Sequence, residues 1–86
     1  MEIADWRIQI DEIDEKILQL LNERAVCALG IGEIKKQNNM RIHDPEREKS
    51  IMKRLTSLNN GPLTHDGVRR VFERIIDESR KLEKDM

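Results

Sequence analysis

Aromatic residues are almost missing from this sequence. Its 86 residues include one Trp, one Phe and no Tyr. Two rings cannot supply the stacking platforms that single-stranded nucleic acids use. Neither sign of charge is in excess. Sixteen Lys and Arg stand against 17 Asp and Glu, a net charge of −1, so the basic footprint of a nucleic-acid module is missing as well. No apolar run approaches the roughly 20 residues of a membrane span. Cys27 is the single cysteine, which excludes an internal disulfide and a cysteine-cluster zinc site. A reducing, cytoplasmic setting is therefore expected. Glu2 and Asp5 come early, unlike the start of a secretory signal.

What the chain has is charge and helical periodicity. Charged residues make up 38% of it, above the roughly 25% of an average globular protein. The length allows one domain, residues 1–86. A chain this short buries only about 60% of its unfolded surface, so a partner or an oligomer is expected. Two punctuation points divide it. One runs from Gln37-Asn38-Asn39 through His43-Asp44-Pro45, and the other is Asn59-Asn60-Gly61-Pro62. Elsewhere the apolar spacing is helical, with no alternating β pattern.

The first segment runs from about Ala4 to about Asn38. Trp6, Ile10, Ile13, Ile17, Leu20, Arg24, Cys27, Ile31 and Ile34 form its inward stripe, with spacings that alternate four and three. Such a seam is like that of a coiled coil. Gly30 and Gly32 each cost roughly 1 kcal/mol relative to Ala in a helix, but the unbroken stripe favours one continuous helix. In the second segment Asp44 is a good N-cap and Pro45 suits the first helical position. Its stripe is Ile51, Leu55 and Leu58, and Gly61-Pro62 is a stop signal. The third segment starts near Thr64 and runs to about Lys84. Its stripe is Val68, Val71, Phe72, Ile75, Ile76, then Ser79, Leu82 and Glu83. At 1.5 Å per residue the helices are about 50, 24 and 31 Å long. The two short ones cover little more than half of the long one. An all-α homodimer with long helices packed across a two-fold axis covers the rest economically.

Several polar residues interrupt these stripes. Arg24 sits in the seam, and Lys35, eleven residues on, lies within roughly 20° of the same face. Arg47 and Glu48 extend the second stripe toward its start. Ser79 and Glu83 continue the third. Each has an ordinary explanation alone: a snorkelling Arg, a Lys at the negative end of a helix, a solvated first turn, a small core Ser, a frayed terminus. Together they indicate a polar pocket, because buried charges must be paired or must serve a ligand. Three are cations, so the ligand is an anion, and two carboxylates suit two Arg forks. Arg7 lies about 25 Å along the axis from Arg24, too far to share one small ligand on the same helix. In an antiparallel dimer the partner chain could bring its copy of Arg7 close to this chain's Arg24. His43 and His65 lack a third metal ligand and read as surface or capping residues. Cys27 reads as a small core hydrophobe. There is no phosphate loop and no dinucleotide turn.

These residues resemble a known family. Trp6 to Asp14, Leu20 to Arg24, Ile31 to Lys35, Asp44 to Glu48 and Ile75 to Ser79 are similar to the all-helical (AroQ-type) chorismate mutases. The resemblance covers about residues 4–83. It looks particularly like the mutase domain that some bacteria fuse to 3-deoxy-arabino-heptulosonate-7-phosphate synthase, which implies a fused or associated synthase as a partner. It implies three helices in an intertwined homodimer that converts chorismate to prephenate by a Claisen rearrangement, with no metal and no cofactor. It also implies roles. Arg24 and Arg7 of the partner chain grip the two carboxylates. Lys35 donates to the ether oxygen, Asp44 and Glu48 hold the ring hydroxyl, Arg47 supports a carboxylate, and Ser79 lines the pocket. Many members carry Gln as the second donor to the ether oxygen, where this sequence has Glu83. A carboxyl group donates only while protonated, so activity is expected to fall as pH rises through the titration of Glu83. Two alternatives share the scaffold: an isochorismate pyruvate-lyase, and a non-catalytic regulatory or dimerisation domain.

Overall fold

A computed structural model describes residues 1–85. Three helices follow one another: α1 (Ile3–Gln37), α2 (Pro45–Leu58) and α3 (His65–Lys84). There is no strand among the described residues. The all-α reading of the sequence holds, and each boundary falls within a residue or two of its expected place.

The ends of the helices follow from local chemistry. At the start of α1 the Glu2 N–H donates to Asp5 Oδ2 at 2.8 Å. At its end, Asn39 turns left-handed, with φ of 54°. The Asn39 N–H then reaches the Lys36 carbonyl at 3.3 Å and the Met40 N–H reaches the Lys35 carbonyl at 2.7 Å. This pair of bonds is a Schellman motif, with Asn in place of the usual Gly. Asp44 caps α2 by accepting from the Arg47 N–H at 3.1 Å. Thr64 caps α3 by accepting from the Gly67 N–H at 2.9 Å. Between α2 and α3, Asn59 bridges the turn. Its Nδ2 donates to the Leu63 carbonyl and its Oδ1 accepts from the Gly61 N–H. Gly61 takes φ of +78°, which a residue with a Cβ rarely adopts.

α1 is continuous through Gly30 and Gly32 and sets the 54 Å long dimension of the molecule. α3 packs against both α1 and α2, while α2 and α1 do not pack on each other among the described residues. The buried side chains are Ala28 of α1, Ile51 of α2, and Val68 and Ile76 of α3. α1 meets α3 along Ala28 and Gly32, flanked by the half-buried Arg24, Ala25 and Lys35. Small residues let the two backbones close up there.

This contact corrects part of the expected seam. Cys27, Ile31 and Ile34 were expected to face inward, yet all three are exposed. The buried face passes through Ala28, rotated about 100° from Cys27. In the other helices Leu58, Val71 and Leu82 also stay exposed, although Ile51 and Ile76 of the same stripes are buried. Along the first half of α1, Trp6, Ile10, Ile13, Ile17 and Leu20 keep between 47% and 62% of their surface exposed. A single chain therefore leaves most of its longest apolar stripe uncovered.

Candidate active site

Among the described residues α1 and α2 do not pack on each other, and a space stays open between them. It is a cavity of about 420 Å³, within the roughly 300–1,000 Å³ of small-molecule sites. α1 contributes Arg24, Cys27, Ala28, Ile31 and Lys35 to its wall. Asp44, Arg47, Glu48 and Ile51 come from the start of α2, and Ser79, Arg80 and Glu83 from α3.

Each charged group is placed by the local fold. Arg24 Nη1 donates to Ser79 Oγ, and that hydroxyl donates in turn to the Ile75 carbonyl at 3.0 Å. The serine thus fixes the guanidinium from across the α1–α3 contact. Lys35 Nζ donates to the Ile42 carbonyl at 3.0 Å. Its own carbonyl takes part in the Schellman turn, so Lys35 draws the connecting loop over the end of α1. That loop delivers Asp44 to the mouth of the cavity, where one carboxylate oxygen caps α2 and the other remains available. Lys35 Nζ also lies 3.9 Å from Glu83 Oε2. Both side chains are well buried, at 14% and 12% exposed. Arg47 projects from the first turn of α2, and its guanidinium has no ion-pair partner among the described residues.

Glu48 is held on both of its oxygens. Oε2 lies 3.1 Å from His43 Nε2, and Oε1 lies 3.2 Å from Arg80 Nη2. Arg80 also pairs with Asp77 on its own helix.

Seven of the eight residues singled out in the sequence line this one cavity: Arg24, Lys35, Asp44, Arg47, Glu48, Ser79 and Glu83. Arg7 does not; it lies exposed on the first half of α1. Among the wall residues that the sequence reading missed or misplaced, two carry chemistry. Arg80 stands four residues after the buried Ile76 and so extends the same stripe, a signal that was there to be used. Cys27 was taken for a core residue and instead faces the cavity. His43, read as a surface or capping residue, is exposed but paired with Glu48. No group of three or more His, Cys, Asp or Glu among the described residues could hold a metal ion. No described helix is long and apolar enough to cross a membrane.

The chorismate mutase type II family matches this chain over residues 6–84. The chain belongs to that family. The chorismate mutase of Methanocaldococcus jannaschii is 38% identical over 84 residues, which cover 96% of this chain and 85% of that protein. A bifunctional chorismate mutase/prephenate dehydratase of Aquifex aeolicus is 42% identical over 87 residues, covering 96% of this chain and 24% of that protein. Among solved structures, the chorismate mutase of Helicobacter pylori in complex with prephenate superposes with a TM-score of 0.89 at 29% identity. The match covers 96% of this chain and 90% of that one. This chain thus spans about a quarter of the length of the bifunctional relatives. Their second activity is a dehydratase, whereas the sequence resemblance had pointed to a synthase as the fused partner.

Proposed function

We propose that this chain is a chorismate mutase. The observation that carries the proposal is the convergence of Arg24, Lys35, Arg47 and Glu83 on one cavity, in a chain that matches the family almost end to end. Family membership, a homologue named for the activity and a structural relative that holds prephenate support the same reading.

The reaction breaks one carbon–oxygen bond and forms one carbon–carbon bond within the substrate. Electrons shift around a ring of six atoms, and no proton or nucleophile is required. The protein has two tasks. It must hold the flexible enolpyruvyl arm over the ring, which removes an entropic cost. It must also meet the negative charge that grows on the ether oxygen with donors already in place.

In the proposed assignment Arg24 forks onto one carboxylate, and Ser79 keeps its guanidinium aimed. Arg47 supports the carboxylate end from α2. Asp44 and Glu48 hold the ring hydroxyl, whose single hydrogen goes to the Glu48 carboxylate. Lys35 donates to the ether oxygen, with Glu83 as the second donor in its protonated form. An oxygen about 2.9 Å from each donor spans the 3.9 Å between Lys35 Nζ and Glu83 Oε2 without moving either side chain. The second carboxylate falls to Arg7 of a partner chain in a homodimer, because this chain's own copy is remote from the cavity.

Mixing the purified chain with chorismate tests the proposal, with products identified. Prephenate should form without added metal or cofactor. Arg24→Ala should lower kcat/KM by about 100-fold, because it leaves a buried substrate carboxylate without its charged partner. Salicylate with pyruvate would assign the pyruvate-lyase reaction instead. Tight prephenate binding without turnover would leave the regulatory role.

A further inference from the structure

Arg80 has no part in the roles implied by the family resemblance, yet it stands on the cavity wall. It joins two helices that hold the site. Its Nη2 lies 3.2 Å from Glu48 Oε1 on α2 and also pairs with Asp77 on α3. Among the described residues α2 packs on α3 and not on α1. Near the first turn of α2, the Arg80–Glu48 pair is an ionic tie between α2 and α3.

The pair is also a partition. A second groove, between α2 and α3, is lined by Lys49, Met52, Glu73 and Asp77 together with Glu48, Ile76 and Arg80. The last three residues line the main cavity as well. Two independent features thus converge on Arg80: a charge-assisted contact to a proposed ligand group, and a position in the wall between two water-accessible spaces.

We infer that Arg80 is a positioning residue that fixes the Glu48 carboxylate to receive the substrate's ring hydroxyl. This rests on the reading of the chain as a chorismate mutase. A free Glu side chain samples many rotamers, and ordering it costs conformational entropy. Arg80 and His43 each stand against one oxygen of the Glu48 carboxylate. An ionised carboxylate has about four acceptor sites, so room is left for the ligand's hydroxyl. Asp77 steadies Arg80 from the same helix, so the guanidinium arrives already oriented. Removal of Arg80 frees Glu48 to rotate away from the hydroxyl.

The ring hydroxyl takes no part in bond breaking. Its contact is therefore made in the ground state and the transition state alike, and its loss appears in KM rather than kcat. Steady-state kinetics on the full chain decide the matter. Arg80→Ala is expected to raise the KM for chorismate about tenfold, with kcat within about threefold of the parent. Arg80→Lys, which keeps a cation in reach, should recover most of that loss. In a Glu48→Gln background, Arg80→Ala should add less than about a twofold change, because the group it positions is already altered. If Arg80→Ala does not fold, Arg80→Gln keeps the stem and one donor and is read in the same cycle. An unchanged KM in the folded Arg80 variants overturns the inference, as does an equal loss in both Glu48 backgrounds. Failure of the parent chain to turn over chorismate overturns the functional reading and this inference with it. Turnover by the parent with indifferent Arg80 variants overturns this inference alone.

Discussion

Lys35 and Glu83 are both well buried in the cavity wall, and they face each other at 3.9 Å. Both are proposed donors to the ether oxygen. Glu83→Ala, which removes one of them, should lower kcat by about 100-fold. Glu83→Gln, which puts an amide donor in the same place, should retain most of the activity. Steady-state assays on the two variants check this, and a Glu83→Ala enzyme as fast as its parent would remove Glu83 as a donor. At this scale the sequence was informative wherever a charge broke an apolar stripe. Arg24, Lys35 and Glu83 could be read because such positions are seldom charged without a partner or ligand. Cys27 was misread for the converse reason. It is apolar enough to belong to the seam, and nothing in its identity separates a core wall from a cavity wall. Arg80 was missed because an Arg in the last turns of a helix also suits the helix dipole.

The helices owe their limits to a few side chains, and those limits place the site. The Thr64 hydroxyl caps α3 through the Gly67 N–H, well away from the cavity residues in sequence. Thr64→Ala should destabilise the protein by about 1 kcal/mol. In a chain of this size that lowers Tm by roughly 4–8 °C, with kcat/KM unchanged at low temperature. Thermal melts by circular dichroism and a 25 °C assay check the two parts. Capping signals made the helix ends legible, since Asp44-Pro45 and Thr64 have local chemistry that needs no tertiary context. The packing between helices was less so. The seam of α1 was drawn through its large apolar residues, but α3 chose Ala28 and Gly32, where it could come closest. Small residues carry little hydrophobic signal, so a periodicity reading passes over them. Nor did the sequence indicate that α2 would stand off from α1. That gap is the cavity.

For the molecule as a whole, the uncovered stripe of α1 is the dominant feature. Trp6, Ile10, Ile13, Ile17 and Leu20 run along the half of the helix that α3 leaves open. Burying the exposed remainder of each side chain is worth on the order of 1 kcal/mol. A second copy is the proposed cover, and the same packing would supply the missing Arg7. That the stripe would outrun its cover could be read from length alone, as a 35-residue helix is much longer than the two that follow it. The symmetry and register of a partner are not encoded in one chain's periodicity, and they remain part of the proposal.

The most direct measurement is active-site complementation. Arg7→Ala and Arg24→Ala chains, each nearly inactive as purified, are unfolded, mixed in equal amounts and refolded. If each site draws Arg24 from one chain and Arg7 from the other, every mixed dimer has one intact site. Random pairing makes half the dimers mixed, so about a quarter of wild-type activity should return. A mixture no more active than the average of its two parents would contradict a site shared between chains.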